Sequence, residues 1–451
     1  MILTCMIRPL RCAPVTRFAR AFLGLTLMVC LAMGAARAEG ALVGSCESWP
    51  AWESFKASFI SDDGRVIDPM HADQRTVSEG QAYAMLFALI GNDRDSFDRL
   101  LNWTQDNLSQ GDLTKHLPAW LWGLHAVPEA EQDVTDEAVS ELASAAKQAE
   151  LLPEGADVAP PEADEPEVEK TWGVIDANAA SDADVWIAYA LLEAGRLWSD
   201  PAYTAVGEKM IANIKRREVM KLPGLGRVLM PAPYGFVETK QRYRINPSYL
   251  ALQPLRHFLV HTGDPVWQEV LDTSRRILID AAPRGLAGDW VLWKTQSGFQ
   301  ADEKSVAAGS YDSIRVYLWL GMLHAADPDR ADLLAHHAPL RSLLDVRGRP
   351  PEFIDINTGQ TRGIGPGGFS AALLPFFSAR GEVLPLLQQK IHMAMHSASD
   401  QPRYYDQVLR LFGHGWDQGR YRFGEKGSLH PYWEQMCGPN PIPFASPAPA
   451  R

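Results

Sequence analysis

Two kinds of helix alternate along this chain, and that alternation restricts the fold more than any other feature. Tyr83-Ala-Met-Leu-Phe-Ala-Leu-Ile90 is apolar almost all round, as expected of a helix with no solvent face. The segment from Asp95 instead carries a single stripe, with Phe97, Leu100, Leu101 and Leu108 at helical spacing. Helical segments are expected at 48–59, 78–90, 95–108, 181–197, 201–216, 247–261, 264–280, 304–326, 329–343, 368–378, 381–397 and 402–414, separated by short Gly, Pro or Asp punctuation. An inner ring of buried helices wrapped by an outer ring of amphipathic ones accommodates both kinds. The pattern therefore predicts an all-α fold, an (α/α)6 barrel of helical hairpins. A solenoid would show a repeat period, and none is visible.

The first 38 of the 451 residues read as a signal peptide. Arg8, Arg11, Arg17 and Arg20 precede an apolar run from about Phe22 to Ala36, and Ala36-Arg37-Ala38 offers a small-x-small cleavage site. The run is short for a bilayer span, so the expectation is export to the periplasm or medium, with no membrane association after cleavage. Residues 39–451 are then one domain. Cys46 and Cys437 are the cysteines left to the mature chain, and an even pair in an oxidising compartment suggests one disulfide. Two separate buried thiols are the alternative.

Charge is concentrated. Between Glu129 and Lys170 fourteen acidic residues face only Lys147 and Lys170, so this stretch accounts for the whole net charge of −12. Its Pro, Glu, Asp and Ala composition from Pro153 onward buries too little apolar surface to order itself. The stretch at about 127–170 is expected to be an acidic, disordered surface insertion into the domain. Clustered Lys and Arg are missing, which removes nucleic acid as a partner.

The twelve histidines are scattered, without HExxH or Cys-His metal spacing, so neither metal nor cofactor is expected. What remains is carboxylates beside aromatics. Glu79 follows Thr76-Val-Ser78 at the start of the apolar helix, and Asp182 and Asp184 follow Ser181 at the start of another. Asp312 and Arg315 lie in Ser310-Tyr311-Asp312-Ser-Ile-Arg315-Val-Tyr317-Leu-Trp319. Such acids are often only helix caps and first-turn residues, and Asp312 with Arg315 is also a simple i,i+3 pair. These acids, however, open segments rich in Tyr, Trp and Met. A carboxyl against apolar walls holds its proton to higher pH, as a glycosidase acid must.

At these clusters the chain resembles glycoside hydrolase family 8. Ala180-Ser181-Asp182-Ala183-Asp184-Val-Trp-Ile187-Ala188-Tyr189-Ala190-Leu191-Leu192-Glu-Ala194-Gly-Arg-Leu-Trp198 is similar to the family signature, and Thr76-Val-Ser-Glu79-Gly-Gln-Ala-Tyr83 to its acid-bearing segment. Tyr311-Asp312-x-x-Arg315 is similar to the base-bearing segment, and Asn246-Pro-Ser-Tyr249 to one that lends an aromatic to the cleft. The resemblance implies an (α/α)6 barrel, an open cleft, an inverting endo-β-1,4-glucanase and no cofactor. It places the general acid at Glu79, the general base at Asp312, and a sugar-binding carboxylate at Asp182. Trp120, Tyr249 and Tyr311 are the expected platforms for a β-1,4-glucan chain, while Trp103, Trp198 and Trp319 are expected in the core. Arg315 would orient Asp312 and keep it ionised.

Within the family, the stretches around Asn102-Trp103 and His116-Leu-Pro-Ala-Trp120-Leu-Trp122 are similar to cellulases of bacterial cellulose synthesis systems, which implies a cellulose synthase complex as partner. Chitosan, mixed-linkage β-glucan and xylan are the alternative polymers for this family. A non-hydrolytic glucan-binding accessory protein is the alternative from another class, and the three carboxylates argue against it.

Overall fold

Where the sequence is apolar on all sides, the computed structural model places a helix inside a ring of others; residues 49–126, 170–395 and 403–436 are described. Numbered in chain order, the inner helices are α2 (Ser78–Ile90), α4 (Ser181–Leu197), α6 (Leu252–Thr262), α8 (Ile314–Gly321), α10 (Gly367–Ala379) and α12 (Tyr404–Asp417). The outer ones are α1 (Pro50–Phe59), α3 (Arg94–Leu108), α5 (Pro201–Arg217), α7 (Pro265–Asp280), α9 (Arg330–His336) and α11 (Val383–Met395), and a short α13 (Tyr432–Met436) follows. In α2 every residue but Glu79 is buried, whereas α3 buries Ser96, Phe97, Leu100, Trp103, Thr104 and Leu108, one face only. The ring closes where Tyr83 and Phe87 of α2 meet Phe412 of α12, and α1 packs there through Phe55 and Phe59 against Tyr404.

The barrel is filled along its axis. Trp186 of α4 and Trp319 of α8 stand 5.2 Å apart, and Tyr83 and Phe412 pack against both. Each such ring contributes roughly 1.5–3 kcal/mol or more by leaving water. On the α10 side the helices approach to backbone contact. A Cβ at Gly321 would run into Pro375–Phe376, and one at Gly413 into Ala371, so neither position accepts a larger residue.

The two rings begin differently. Outer helices α3, α5 and α7 are capped by Asp93, Asp200 and Asp264, whose carboxylates accept Ser96, Ala202 and Val266 N–H groups, with Pro at the first turn of α5 and α7. No inner helix has a side-chain cap at its N-cap residue. Antiparallel hairpins put the inner N-termini together at one end, where their dipoles favour negative charge.

Three expected helices are shorter or broken. In 304–326 only Ile314–Gly321 is α-helical, because Ala308–Gly309 (β10) pairs with Phe353–Asp355 (β11), and Gly309 lies against the Ala287 carbonyl. In 247–261 a 3-10 turn at Pro247–Tyr249 precedes α6, and in 329–343 α9 gives way to a 3-10 turn at Ala338–Leu343, which contains Pro339. Short antiparallel strands join the helices. Thr76–Val77 (β1) pairs with Leu121–Ala126 (β2), which pairs with Lys170–Asp176 (β3). Val219–Leu222 (β4) and Gly226–Leu229 (β5) form a hairpin, and Val237–Thr239 (β6), Arg242–Ile245 (β7), Val291–Lys294 (β8) and Gly298–Ala301 (β9) a four-stranded sheet. Among the described residues no helix is long and apolar enough to cross a membrane. The signal peptide, Cys46, Cys437 and the acidic insertion at 127–169 lie outside the described residues.

Candidate active site

The starts of the inner helices bring the predicted carboxylates together around one cation. Glu79 and Asp182 lie in the first turns of α2 and α4, and Asp312 lies one residue before Ser313, the N-cap of α8. Arg315, 3% exposed, donates through Nη1 to Glu79, to Asp182 at 3.1 Å and to the Tyr83 hydroxyl at 3.0 Å, and through Nη2 to Asp312 at 2.8 Å. The sequence suggested an Arg315–Asp312 pair alone; the fork in fact serves three carboxylates. A planar guanidinium spreads five fixed donors over a wider fork than the single ammonium of a lysine, which suits it to acids on separate helices.

Glu79, Asp182 and Asp184 are first-turn acids as expected, but the serines before them are not caps. The N-caps of α2 and α4 are Val77 and Ala180, and Ser78 and Ser181 are already helical. Asp182 accepts its bond from the adjacent Ala183 N–H, and Oδ2 faces Arg315. Burial pushes the Asp182 carboxyl well above the usual carboxylate range, and the charge of neighbouring Glu79, within hydrogen-bond reach, pushes it further. Glu79 and Asp312 are the more open acids, with side chains 19% and 31% exposed against 3% for Asp182.

The predicted aromatics surround this centre. The Tyr249 ring lies 5.7 Å from the Arg315 guanidinium and, like Trp120, is half-buried. Trp120 is held beside the acids: its carbonyl accepts Ser78 N–H and its N–H donates to Asn178. Tyr311 is 36% exposed and donates to Glu352 at 2.7 Å, with its ring against Phe353, Phe369 and Tyr405. Trp103 and Trp319 are in the core as expected. Trp198 is only half-buried, packed edge-on against Phe97.

Four participants were not singled out from the sequence. Tyr83 meets Arg315 from below. Tyr405, in the first turn of α12, donates to the Tyr311 carbonyl at 2.6 Å, and burial holds its phenol well above its ordinary range, close to Arg315, Glu79 and Asp312. Asp289 accepts the Ser310 and Ser313 N–H groups. Trp290 packs on Tyr249 at 6.1 Å, is stacked on Phe236 at 5.4 Å and has Arg244 4.0 Å from its centroid. For Tyr405 the signal was position, since it opens an inner helix as Glu79 and Asp182 do.

Behind the site, Asp184 and Glu218 face each other at 0% and 1% exposure. Neither receives an N–H or O–H from another residue, and burial raises both, Asp184 to about 8. A proton shared between them satisfies both.

A buried carboxyl and two accessible ones held at one end of a helical barrel among aromatic rings suit acid–base hydrolysis of a sugar polymer. The comparisons agree. The family model described as "Glycosyl hydrolases family 8" matches residues 18–145 and 164–419. A protein named "Endoglucanase" from Salmonella typhi is 44% identical over 390 residues, 86% of this chain and 92% of that one. Another of that name from Pseudomonas fluorescens (strain SBW25) is 37% identical over 433 residues, 92% and 98% of the two chains. The crystal structure of endo-1,4-D-glucanase from Vibrio fischeri ES114 superposes with a TM-score of 0.70 at 37% identity, covering 86% of this chain and 99% of that one. Helical architecture, carboxylate arrangement and similarity along most of its length agree: the chain belongs to glycosyl hydrolase family 8.

Proposed function

We propose that this protein is an inverting endo-β-1,4-glucanase that acts on cellulose-like chains. The observation that carries the reading is the single guanidinium of Arg315 joining Glu79, Asp182 and Asp312 at the inner-helix starts. The glucan lies across Trp120, Tyr249 and Tyr311. Glu79 gives its proton to the leaving glycosidic oxygen. Asp312 takes a proton from the water that attacks the opposite face of the sugar, and the bond to the leaving chain breaks. Asp182 hydrogen-bonds the sugar at the point of cleavage and stabilises its oxocarbenium-like transition state. Arg315 holds the three acids in register. An inverting pair leaves ~6.5–9.5 Å between its carboxyls for the water. No cofactor takes part in this scheme.

The sequence features of an exported chain and the similarity to endoglucanases support a role in the periplasm or outside the cell, alongside a cellulose synthase. Reducing-sugar release from cellulose, chitosan, mixed-linkage glucan and xylan tests the substrate. Proton NMR of the first products tests the stereochemistry, with the α-anomer expected first. A β-anomer first would mean retention and would remove Asp312 as the base.

A further inference from the structure

The turn that carries Asp312 is held from outside the inner ring by a carboxylate to which the reaction scheme gives no part. Asp289 Oδ1 accepts the Ser310 N–H at 2.7 Å and the Ser313 N–H at 2.8 Å, one on each side of Tyr311–Asp312. Its own N–H donates to the Ala308 carbonyl at 2.8 Å, so the two segments are bonded in both directions. The neighbouring contacts are as close: Ala287 N–H donates to the Tyr317 hydroxyl, and Gly309 lies against the Ala287 carbonyl with no room for a Cβ. On the far side Ser310 Oγ donates to the Glu352 carbonyl at 2.6 Å and Tyr405 to the Tyr311 carbonyl.

We propose that Asp289 is a positioning residue for Asp312, clamping both ends of the Ser310–Ser313 turn. The proposal rests on reading Asp312 as the general base.

Burial raises the Asp289 carboxyl to about 6, and the charge of Asp312 adds to the rise, so below that pH Asp289 is largely uncharged and acts through the hydrogen bonds it accepts.

Asparagine and alanine test the clamp. Asp289→Asn keeps an oxygen for both N–H groups. It should keep KM and lose only a small part of kcat on a soluble cello-oligosaccharide. Asp289→Ala removes the clamp, and a misplacement of about 1 Å at a reacting group can cost about a hundredfold in rate. It should therefore lose about tenfold to a hundredfold in kcat with KM little changed. An alanine variant with wild-type kcat, or an asparagine variant as slow as the alanine one, overturns the proposal. If the alanine variant does not fold, Asp289→Glu, which moves the accepting oxygens by one methylene, takes its place, and wild-type kcat there overturns the proposal. Asp312→Asn assayed in parallel tells the two readings apart, because full turnover there would remove the base itself, whereas a failure confined to Asp289 leaves that base in place.

Discussion

Arg315 donates to Asp182 across 3.1 Å with both side chains 3% exposed, which ties the first turn of α8 to the first turn of α4. Deleting the cation would leave three carboxylates facing one another. Breaking such a buried pair costs about 3–5 kcal/mol. Arg315→Ala should accordingly show a loss of that size in chemical denaturation and no measurable turnover. Arg315→Lys keeps one charge without the planar fork, so it should recover part of the stability and little of the activity. Near-normal turnover in the lysine variant would show that three-way coordination is dispensable.

Glu79→Gln and Asp312→Asn each preserve size while removing a transferable proton or the group that receives one. Loss of an acid or base role costs ~10²–10⁴ in rate. Both variants should fold, bind cello-oligosaccharides in calorimetry and fail to turn them over. Retained turnover in either would move the acid or base elsewhere.

Asp182→Asn should lower kcat far more than it changes KM, because the contact proposed for Asp182 strengthens in the transition state. Steady-state kinetics on a soluble oligosaccharide check this. A rise in KM at constant kcat would mean that Asp182 only binds.

Asp184 and Glu218 make stability depend on pH. Asp184 is raised to about 8 in the folded chain against about 3.9 when unfolded, so between these values the folded state holds a proton that the unfolded state has released. Stability should fall as pH rises through that window, by about 1.4 kcal/mol per pH unit for each proton the pair retains. Glu218→Gln offers Asp184 an amide donor and should flatten the slope. Urea denaturation at several pH values would reveal it, and identical slopes in both proteins would contradict the shared proton.

Much of this arrangement is legible in the residues. Helix α2 is apolar almost all round because all of its residues but Glu79 are buried, and that property needs no partner to be seen. Glu79, Asp182 and Asp312 stand out as acids that open such segments. The extent of the Arg315 network could not be read. Asp312 is its neighbour at i,i+3, but Glu79 and Asp182 are joined to it only when the ring closes over more than a hundred residues of chain. Asp289 was hidden for a related reason: it lies in a loop, and its partners are backbone groups that carry no sequence signal. The late start of α8, at Ile314 and not near 304, reflects the pairing of Ala308–Gly309 with β11, a tertiary demand that overrides local helical preference.

The β2–β3 hairpin has a consequence for how such a chain can vary. From Trp122 opposite Val174 its register runs unshifted to Ala126 opposite Lys170, so the chain leaves the barrel and returns to it at adjacent points. The ends are already joined by the ladder, and lengthening the connection adds only the slowly growing entropy of a larger loop, roughly 0.6 kcal/mol per doubling. Sequence between these two positions can be gained, lost or rewritten with almost no mechanical tension reaching Glu79 or Asp182. Evolution is free to experiment beyond the end of this ladder while the chemistry stays fixed.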